Sequence, residues 1–135
     1  ETVRLEEEIN YLENFIDLQV SRYHKEIDVN FVKHIDNSNT KVAPLLFIIL
    51  LENAFKHGVE TLTDSAYISM KLTSDIECIT FNIENNYTPD EKPEHKGIGL
   101  KNLESRLALI YPERYQLEIS KDSATYSVQL RIDRT

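Results

Sequence analysis

One stretch constrains the fold more than any other, the segment 44–58 with the sequence PLLFIILLENAFKHG. It opens with the apolar run Leu45 to Leu51 and then turns polar. Pro44 suits the first turn of a helix, where its missing N–H would lack a partner anyway, and Gly58 suits the left-handed position after a helix end. A buried strand could also hold such a run. The length and the two end signals favour a helix of about four turns.

The polar end of this helix carries candidate site residues. Asn53, Lys56 and His57 follow one another at spacings of three and four and therefore share one helical face. A buried amide without a partner costs about 1–3 kcal/mol, so a polar group should lie opposite Asn53. Two structural readings stay open. Asn53 could cap a neighbouring loop, and His57 near a helix C-terminus is stabilised by the dipole with or without a ligand.

Composition narrows the classes of protein. A chain of 135 residues can bury the core of one domain, and 41% hydrophobic with 28% charged residues is typical of a soluble domain. The apolar run is far too short to cross a bilayer. A net charge of −8 argues against a nucleic-acid surface. The single Cys78 excludes an internal disulfide and fits a reducing compartment. The start at Glu1 rather than Met indicates a piece of a longer protein.

Periodicity predicts the remaining elements. Residues 2–24 form an amphipathic helix, whose apolar stripe packs on the domain or, because its spacing is nearly heptad-like, on a dimer partner. A third helix runs from about Leu100 to Tyr111, and its predicted inward residues are Leu100, Leu103, Leu107 and Ile110. Alternating patterns predict strands at 27–35, 68–73, 79–84, 115–119 and 126–132. Strands with one apolar face and helices to cover it predict an α+β fold, a two-layer α/β sandwich whose mixed, mostly antiparallel sheet is covered by helices on one face.

A second candidate segment lies at the end of a strand. Counting by two from Ile83 puts Asn85 on the buried face, where a polar side chain continues an apolar row. A side-chain amide can accept a hydrogen bond from an exocyclic amine and donate one to a ring nitrogen, as adenine requires. The amide oxygen of Asn53 is a suitable ligand for Mg²⁺, which usually takes one or two protein ligands together with phosphates. These two amides suggest a nucleotide site.

The third candidate segment is the turn Gly97-Ile98-Gly99 before the last helix. Glycines let the backbone approach a ligand, and free N–H groups with the helix dipole favour an anion. Positive charge lies nearby, at Lys92, Lys96 and Lys101. Two glycines before a helix are, on their own, more often plain geometry. The prediction of a phosphate cradle gains weight because the segment accompanies the Asn53 face and Asn85.

Two stretches resemble a known family. LLENAFKHG resembles the N box of histidine kinases, and GIGLKNLESRLALIYP resembles their second glycine box; the pairing is most similar to the short-lid, LytS-type sensor kinases. The resemblance implies the Bergerat-type ATP-binding fold shared with gyrase, Hsp90 and MutL. It also implies that Asn53 ligates Mg²⁺ and that the turn before the last helix forms a lid hinge and phosphate cradle, supported by Asn102 and Arg106. The implied ATP-binding residues are Asn53, Lys56, His57, Asn85, Gly97, Ile98, Gly99, Leu100 and Lys101.

The sequence departs from the family pattern in two places. Where the family usually has an Asp-x-Gly box whose Asp reads the adenine amine, Asn85 stands in place of the Asp and the glycine is missing. A neutral amide should hold that amine less strongly than a carboxylate. His24 does not match the phosphorylated His of the family. The acceptor is therefore expected outside the chain, so that this piece could bind ATP without phosphorylating itself.

The resemblance also implies an organisation and partners. Residues 1–24 would be the tail of a dimerisation and phosphotransfer helix, and residues 25–135 the ATP-binding catalytic domain of a two-component sensor histidine kinase. The partners would be ATP with Mg²⁺, a phosphoacceptor His segment, a response regulator receiver domain and a second copy in a homodimer, in the cytoplasmic part of a membrane-anchored sensor. Glu52 is a weak candidate for a general base. The rival functions are a nucleotide-silent interaction module and an ATP-hydrolysing relative of gyrase or Hsp90.

Overall fold

The computed structural model describes residues 1–89 and 98–134, and the side chain of Ile98 lies outside that description. Three helices, a short 3-10 turn and seven strands make up this part of the chain. In chain order they are β1 (Val3–Arg4), α1 (Leu5–Arg22), β2 (Ile27–Ile35), β3 (Lys41–Val42), α2 (Phe47–His57), the 3-10 turn (Val59–Thr61), β4 (Ala66–Ser74), β5 (Cys78–Asn86), α3 (Ile98–Ile110), β6 (Tyr115–Lys121) and β7 (Thr125–Asp133).

The main sheet has five strands in the order β2-β4-β5-β7-β6. Only β2 and β4 run parallel, joined by a crossover that contains α2, and the other pairs are antiparallel. An aspartate side chain stabilises the turn of each of the two hairpins. Asp75 accepts hydrogen bonds from the amides of Glu77 and Cys78 at 2.8 and 3.0 Å, and Asp122 accepts from those of Ala124 and Thr125 at 2.8 and 2.7 Å. The sheet is therefore mixed and mostly antiparallel, as the sequence predicts.

One face of the sheet carries the core. Alternate residues of β4 and β5, among them Ile68 and Phe81, are fully buried, whereas Ser69 and Glu84 on the other face are exposed. Helix α2 packs on the buried face, where the rings of Phe47 and Phe81 lie 5.0 Å apart between centroids. The two-layer sandwich with helices on one face is confirmed.

The prediction for the start and end of α2 is wrong in detail. The helix begins at Phe47 rather than Pro44, because Leu45 adopts the left-handed φ of 65° and interrupts a helical path. It therefore spans 11 residues, about three turns and not four. Gly58 ends it without a left-handed conformation, at φ −113° and ψ −77°. Glycine is needed at this position because the chain here lies close to β5.

The other predicted elements are found with small shifts in their ends. Strand β2 has the predicted bounds, and α3 starts two residues earlier than predicted, at Ile98. The two-residue pair of β1 with β3 and the 3-10 turn were not predicted, since segments this short have no periodicity to detect. Ile110, predicted to face inward, is 39% exposed.

Helix α1 packs on the domain along one face. Leu5 and Leu12 are fully buried, and Phe15 meets the ring of Phe55 on α2 edge-on at 5.9 Å. Tyr23, directly after the helix, stacks on the ring of Phe55 at 6.2 Å. The structure thus joins α1 to the core, while the assignment of residues 1–24 to a dimerisation helix stays a prediction.

Candidate functional site

The end of α2 and the end of β5 touch at Gly58. A Cβ built on Gly58 would come within 2.2 Å of Asn85 Nδ2 and 2.5 Å of the Ala54 carbonyl oxygen. Only glycine fits this close approach. Asn85 is 3% exposed, and its Nδ2 donates to the Asn86 carbonyl at 2.9 Å. The predicted position of Asn85 on the buried face is therefore confirmed, and its amide lies directly beneath the polar end of α2.

Tyr126 lies beside the same strand end. It is the direct cross-strand partner of Asn85 in the β5–β7 pair, so the two side chains project from the same face of the sheet. Burial raises the pKa of Tyr126, and the side-chain amide of Asn53 acts in the opposite direction. The phenol therefore lies on the side of the sheet that α2 covers.

The start of α3 approaches the same face of α2. A Cβ on Gly99 would lie 3.8 Å from the Cγ2 of Ile49, an ordinary contact. Ile49 precedes Asn53 by one helical turn and shares its face. Leu100 is 8% exposed and belongs to the core, which fixes the first turn of α3 against α2. The described part of the glycine segment thus lies beside the Asn53 face.

Arg106 ties α3 to the loop before α2. Its guanidinium donates to the carbonyl oxygens of Pro44 at 2.8 Å and Leu45 at 3.3 Å. The amide of Leu45 donates in turn to Oε1 of Glu8 at 3.0 Å. Glu8 is 5% exposed, and its burial raises the pKa of the carboxyl, opposed by the Leu45 bond and by the Arg106 charge. The hydrogen bonds of Arg106 therefore go to backbone carbonyls, while Glu8 interacts with it through charge.

The remaining predicted site residues divide by exposure. His57 is half-buried and interacts with a neighbouring group, whereas Lys56, Glu52 and Lys101 are exposed. Both lysine side chains can reach an anion that approaches from solvent. Their exposure alone does not identify either of them as a ligand. The backbone of Ile98 begins α3. Gly97, Lys92 and Lys96 lie outside the described residues, so the structure describes the predicted phosphate cradle only on the side of α3.

Sequence reasoning missed two contributors to the site. Tyr126 was predicted only as the first residue of the last strand, and its place beside Asn85 depends on strand pairing that one strand alone does not reveal. Gly58 was expected for its conformation rather than for its contact.

Two hollows lie elsewhere on the described surface. One, of about 290 Å³, lies on the open face of the sheet between Lys71, Asn82 and Gln129, and the other, of about 460 Å³, lies between α3 and β6. Within residues 1–89 and 98–134, no three His, Cys, Asp or Glu side chains are grouped so as to hold a metal ion. In the same residues no helix has the length and apolar character needed to cross a membrane.

The sequence of this chain is similar to parts of known sensor kinases. The chain is 22% identical over 136 residues to the sensor histidine kinase BtsS of Escherichia coli K12, which covers 98% of this chain and 24% of that protein. It is 32% identical over 72 residues to the sensor protein kinase HptS of Staphylococcus aureus, covering 53% of this chain and 14% of that protein. No protein-family model matches the sequence. The chain therefore spans about a quarter or less of these relatives.

Solved structures of other proteins share the fold of this chain. The catalytic domain of histidine kinase ThkA superposes with a TM-score of 0.63 at 14% identity, over 100% of this chain and 95% of that one. The chain has the histidine kinase catalytic-domain fold. A histidine kinase domain from Erythrobacter litoralis gives a TM-score of 0.63 at 17% identity, over 96% of this chain and 60% of that one. ThkA has also been solved in complex with a response regulator, TrrA.

The described residues fit a magnesium nucleotide in their chemistry. Asn53 offers an amide oxygen of the kind that Mg²⁺ accepts, and a single protein ligand is enough when phosphates supply others. Asn85, with Nδ2 already bonded to the backbone, keeps Oδ1 as the acceptor suited to an exocyclic amine. The N-terminus of α3 faces the same region and favours an anion.

Proposed function

We propose that this chain is the ATP-binding catalytic domain of a two-component sensor histidine kinase of the LytS type. The observation that carries the proposal is the meeting of three segments: the end of α2 contacts the end of β5 at Gly58, and Gly99 at the start of α3 lies near Ile49, on the face of α2 that carries Asn53. The sequence likeness to BtsS and HptS and the shared catalytic-domain fold support it.

Each residue has a distinct role in this proposal. Asn53 holds Mg²⁺, and Asn85 accepts a hydrogen bond from the adenine amine. Lys56 and His57 lie by the phosphates, and Gly97, Ile98, Gly99, Leu100 and Lys101 form the lid hinge and cradle. The bound metal neutralises charge on the phosphates. The chain itself contributes positioning and a preorganised field, which are the main sources of catalysis in phosphoryl transfer. Glu52, exposed on α2, has a solvated or ion-paired role.

The proposal includes partners and an organisation. Residues 1–24 are the tail of a dimerisation helix and residues 25–135 the catalytic domain, in a longer, homodimeric and membrane-anchored sensor whose kinase part is cytoplasmic. The phosphoryl group passes to a His outside this chain and then to an Asp of a response regulator receiver domain. The complex of ThkA with the response regulator TrrA supports a partner of this class.

Isothermal titration with ADP, with and without Mg²⁺, tests the proposal. We expect saturable binding that weakens when Mg²⁺ is removed. Asn53→Ala should lower the affinity about tenfold or more, equivalent to 1.4 kcal/mol, and abolish the dependence on Mg²⁺. Asn82→Ala is the matched control, because it removes an amide from β5 on the opposite face of the sheet.

The rival functions give different results. An absence of heat at millimolar nucleotide would identify a nucleotide-silent module. Steady phosphate release from ATP by this chain alone would identify an ATP-hydrolysing relative. Unchanged affinity in Asn53→Ala, with binding otherwise intact, would reject the role of Asn53 as a metal ligand while leaving nucleotide binding in place.

A further inference from the structure

The 3-10 turn Val59–Thr61 lies between the end of helix α1 and the candidate site. It directly follows Gly58, the residue at which the end of α2 comes close to the side chain of Asn85. Residues just beyond α1 hold the turn on one side, and the chain that leaves β5 binds it on the other. Any displacement of this turn therefore acts on the place where α2 and β5 meet.

Two residues just beyond the end of α1 bind the turn. Nζ of Lys25 donates hydrogen bonds to the carbonyl oxygens of Val59 at 2.6 Å and Leu62 at 2.5 Å. The hydroxyl of Tyr23 donates to Oε2 of Glu60 at 3.0 Å. An ammonium group has N–H donors and no acceptor, so the half-buried Lys25 can hold both carbonyl oxygens at once. It thereby joins the first residue of the turn to the residue that follows its last one.

The opposite side of the turn reaches the chain beyond β5. The hydroxyl of Thr61 donates to the carbonyl oxygen of Gly58 at 2.6 Å and accepts a hydrogen bond from the amide of Thr88 at 2.9 Å. Thr88 follows Asn85 by three residues in the sequence. One side chain of the turn thus ties the end of α2 to the chain that leaves the strand of Asn85.

We propose that Lys25 is a positioning residue of the nucleotide site, which holds the 3-10 turn so that Gly58 and Asn85 keep the arrangement that nucleotide binding needs. This inference rests on the proposed function. Lys25 acts through the two carbonyl oxygens and not through the nucleotide. The apparent affinity scales with the fraction of molecules in which the site is correctly arranged, so loss of Lys25 weakens binding without removing a ligand contact. A displacement of the end of α1 reaches the site through the same bonds.

Titration with ADP and Mg²⁺ compares Lys25→Met with the parent chain. Methionine keeps most of the side-chain length and removes the donors. If the turn keeps its place in only about one variant molecule in five, the dissociation constant rises about fivefold. Lys25→Arg retains the charge and the donors and should recover most of the affinity. Lys33→Met is the matched control, because Lys33 also binds α1, through Glu13, but lies towards the far end of β2.

Hydrogen exchange in the parent chain does not depend on the stability of a variant. If the turn sets the affinity for nucleotide, bound nucleotide must stabilise the turn by the same coupling. The amides of Thr61 and Leu62 donate to the carbonyl oxygens of Gly58 and Val59 at 3.0 and 3.2 Å, so their exchange reports opening of the turn. Saturation with ADP and Mg²⁺ should slow it severalfold. The amide of Asp75, in the hairpin turn at the other end of β5, should keep its rate.

Amide chemical shifts measured without nucleotide test the positioning itself. Lys25→Met should shift the amide resonances of Gly58, Asn85 and Thr88, because the turn that joins them loses its hold on the end of α1. Lys33→Met should leave these three resonances where they are in the parent chain.

The outcomes separate this inference from the proposed function. If the parent chain binds ADP while Lys25→Met binds equally well, or while exchange at Thr61 and Leu62 is unchanged at saturation, the positioning role is wrong and the function stands. Equal losses of affinity in Lys25→Met and Lys33→Met, or no recovery in Lys25→Arg, would also overturn it. If the parent chain does not bind at millimolar nucleotide, the proposed function fails. Unchanged shifts at Gly58 and Asn85 in Lys25→Met would overturn the positioning role on their own.

Discussion

Substitution of Gly58 by alanine probes the contact on which the site depends. The added methyl would lie 2.2 Å from Asn85 Nδ2 and 2.5 Å from the carbonyl oxygen of Ala54. The asparagine side chain can turn away, but the carbonyl belongs to helix α2 and accepts the hydrogen bond from the Gly58 amide at 3.0 Å. The methyl must therefore distort the last turn of α2, and its contact with Asn85 pushes that turn away from β5.

The size of the effect follows from these distances. Overpacking a well-packed region costs about 1–3 kcal/mol, and the backbone contact places Gly58→Ala near the upper end. Replacing glycine in helical geometry returns up to about 1 kcal/mol. The expected net loss is about 2 kcal/mol of unfolding free energy, which for a chain of this size lowers Tm by roughly 6–10 °C. Movement of Asn85 should also weaken binding of ADP.

Thermal and chemical unfolding measure this loss, and Gly99→Ala is the matched control. The nearest atom to a Cβ on Gly99 is Ile49 Cγ2 at 3.8 Å, so that variant should retain its stability or gain about 0.4–1 kcal/mol. Combining Gly58→Ala with Asn85→Ser should recover part of the loss, because the asparagine half of the clash is removed. Equal stability of Gly58→Ala and Gly99→Ala would refute the close approach of α2 to β5.

Three further predictions concern other contacts. Asn85→Asp should tighten binding of ADP with Mg²⁺ about three- to tenfold, because an ionised acceptor bonds an amine more strongly, and weaker binding in titration would show that Asn85 does not read adenine. The backbone bonds to Asp122 lower the pKa of its carboxyl, so its contribution to stability is present above the unfolded pKa and is lost as pH falls through the folded value. The melting temperature of Asp122→Asn should therefore fall less steeply with decreasing pH than that of the parent chain below about pH 4. The same pH dependence of the melting temperature in both chains would contradict this role. Arg106→Gln should cost about 1–2 kcal/mol by releasing the carbonyls of Pro44 and Leu45, with faster amide exchange along α3; Arg106→Lys should lose less, and unchanged exchange would show that the guanidinium does not anchor α3.

Most of the fold was predictable because each long element carries its own period. Strand β2 alternates from Ile27 to Ile35 and was bounded correctly, and the leucines at 100, 103 and 107 placed the buried face of α3. Errors arose where a tertiary contact decides the local conformation. Leu45 takes a left-handed φ while Glu8 and Arg106 hold its amide and carbonyl, and no local pattern announces those distant partners.

The candidate site was predictable in part for a similar reason. Asn53 and Asn85 were found because each is a polar residue at the end of an apolar pattern. Tyr126 was not found as a site residue, because its meaning depends on the register of β7 against β5 and on the approach of α2. Gly58 was singled out for the wrong reason, since a glycine at a helix end predicts a left-handed cap more readily than a side chain packed against it.

The most direct test of the central claim is a map of amide chemical shifts as ADP and Mg²⁺ are added to the ¹⁵N-labelled chain. A single nucleotide site formed by α2, β5 and α3 predicts the largest changes at Asn53, Gly58, Asn85 and Gly99, with the same dissociation constant at each, and little change at Asn82 on the opposite face of the sheet. Changes centred on that opposite face, or different dissociation constants at α2 and β5, would contradict the claim.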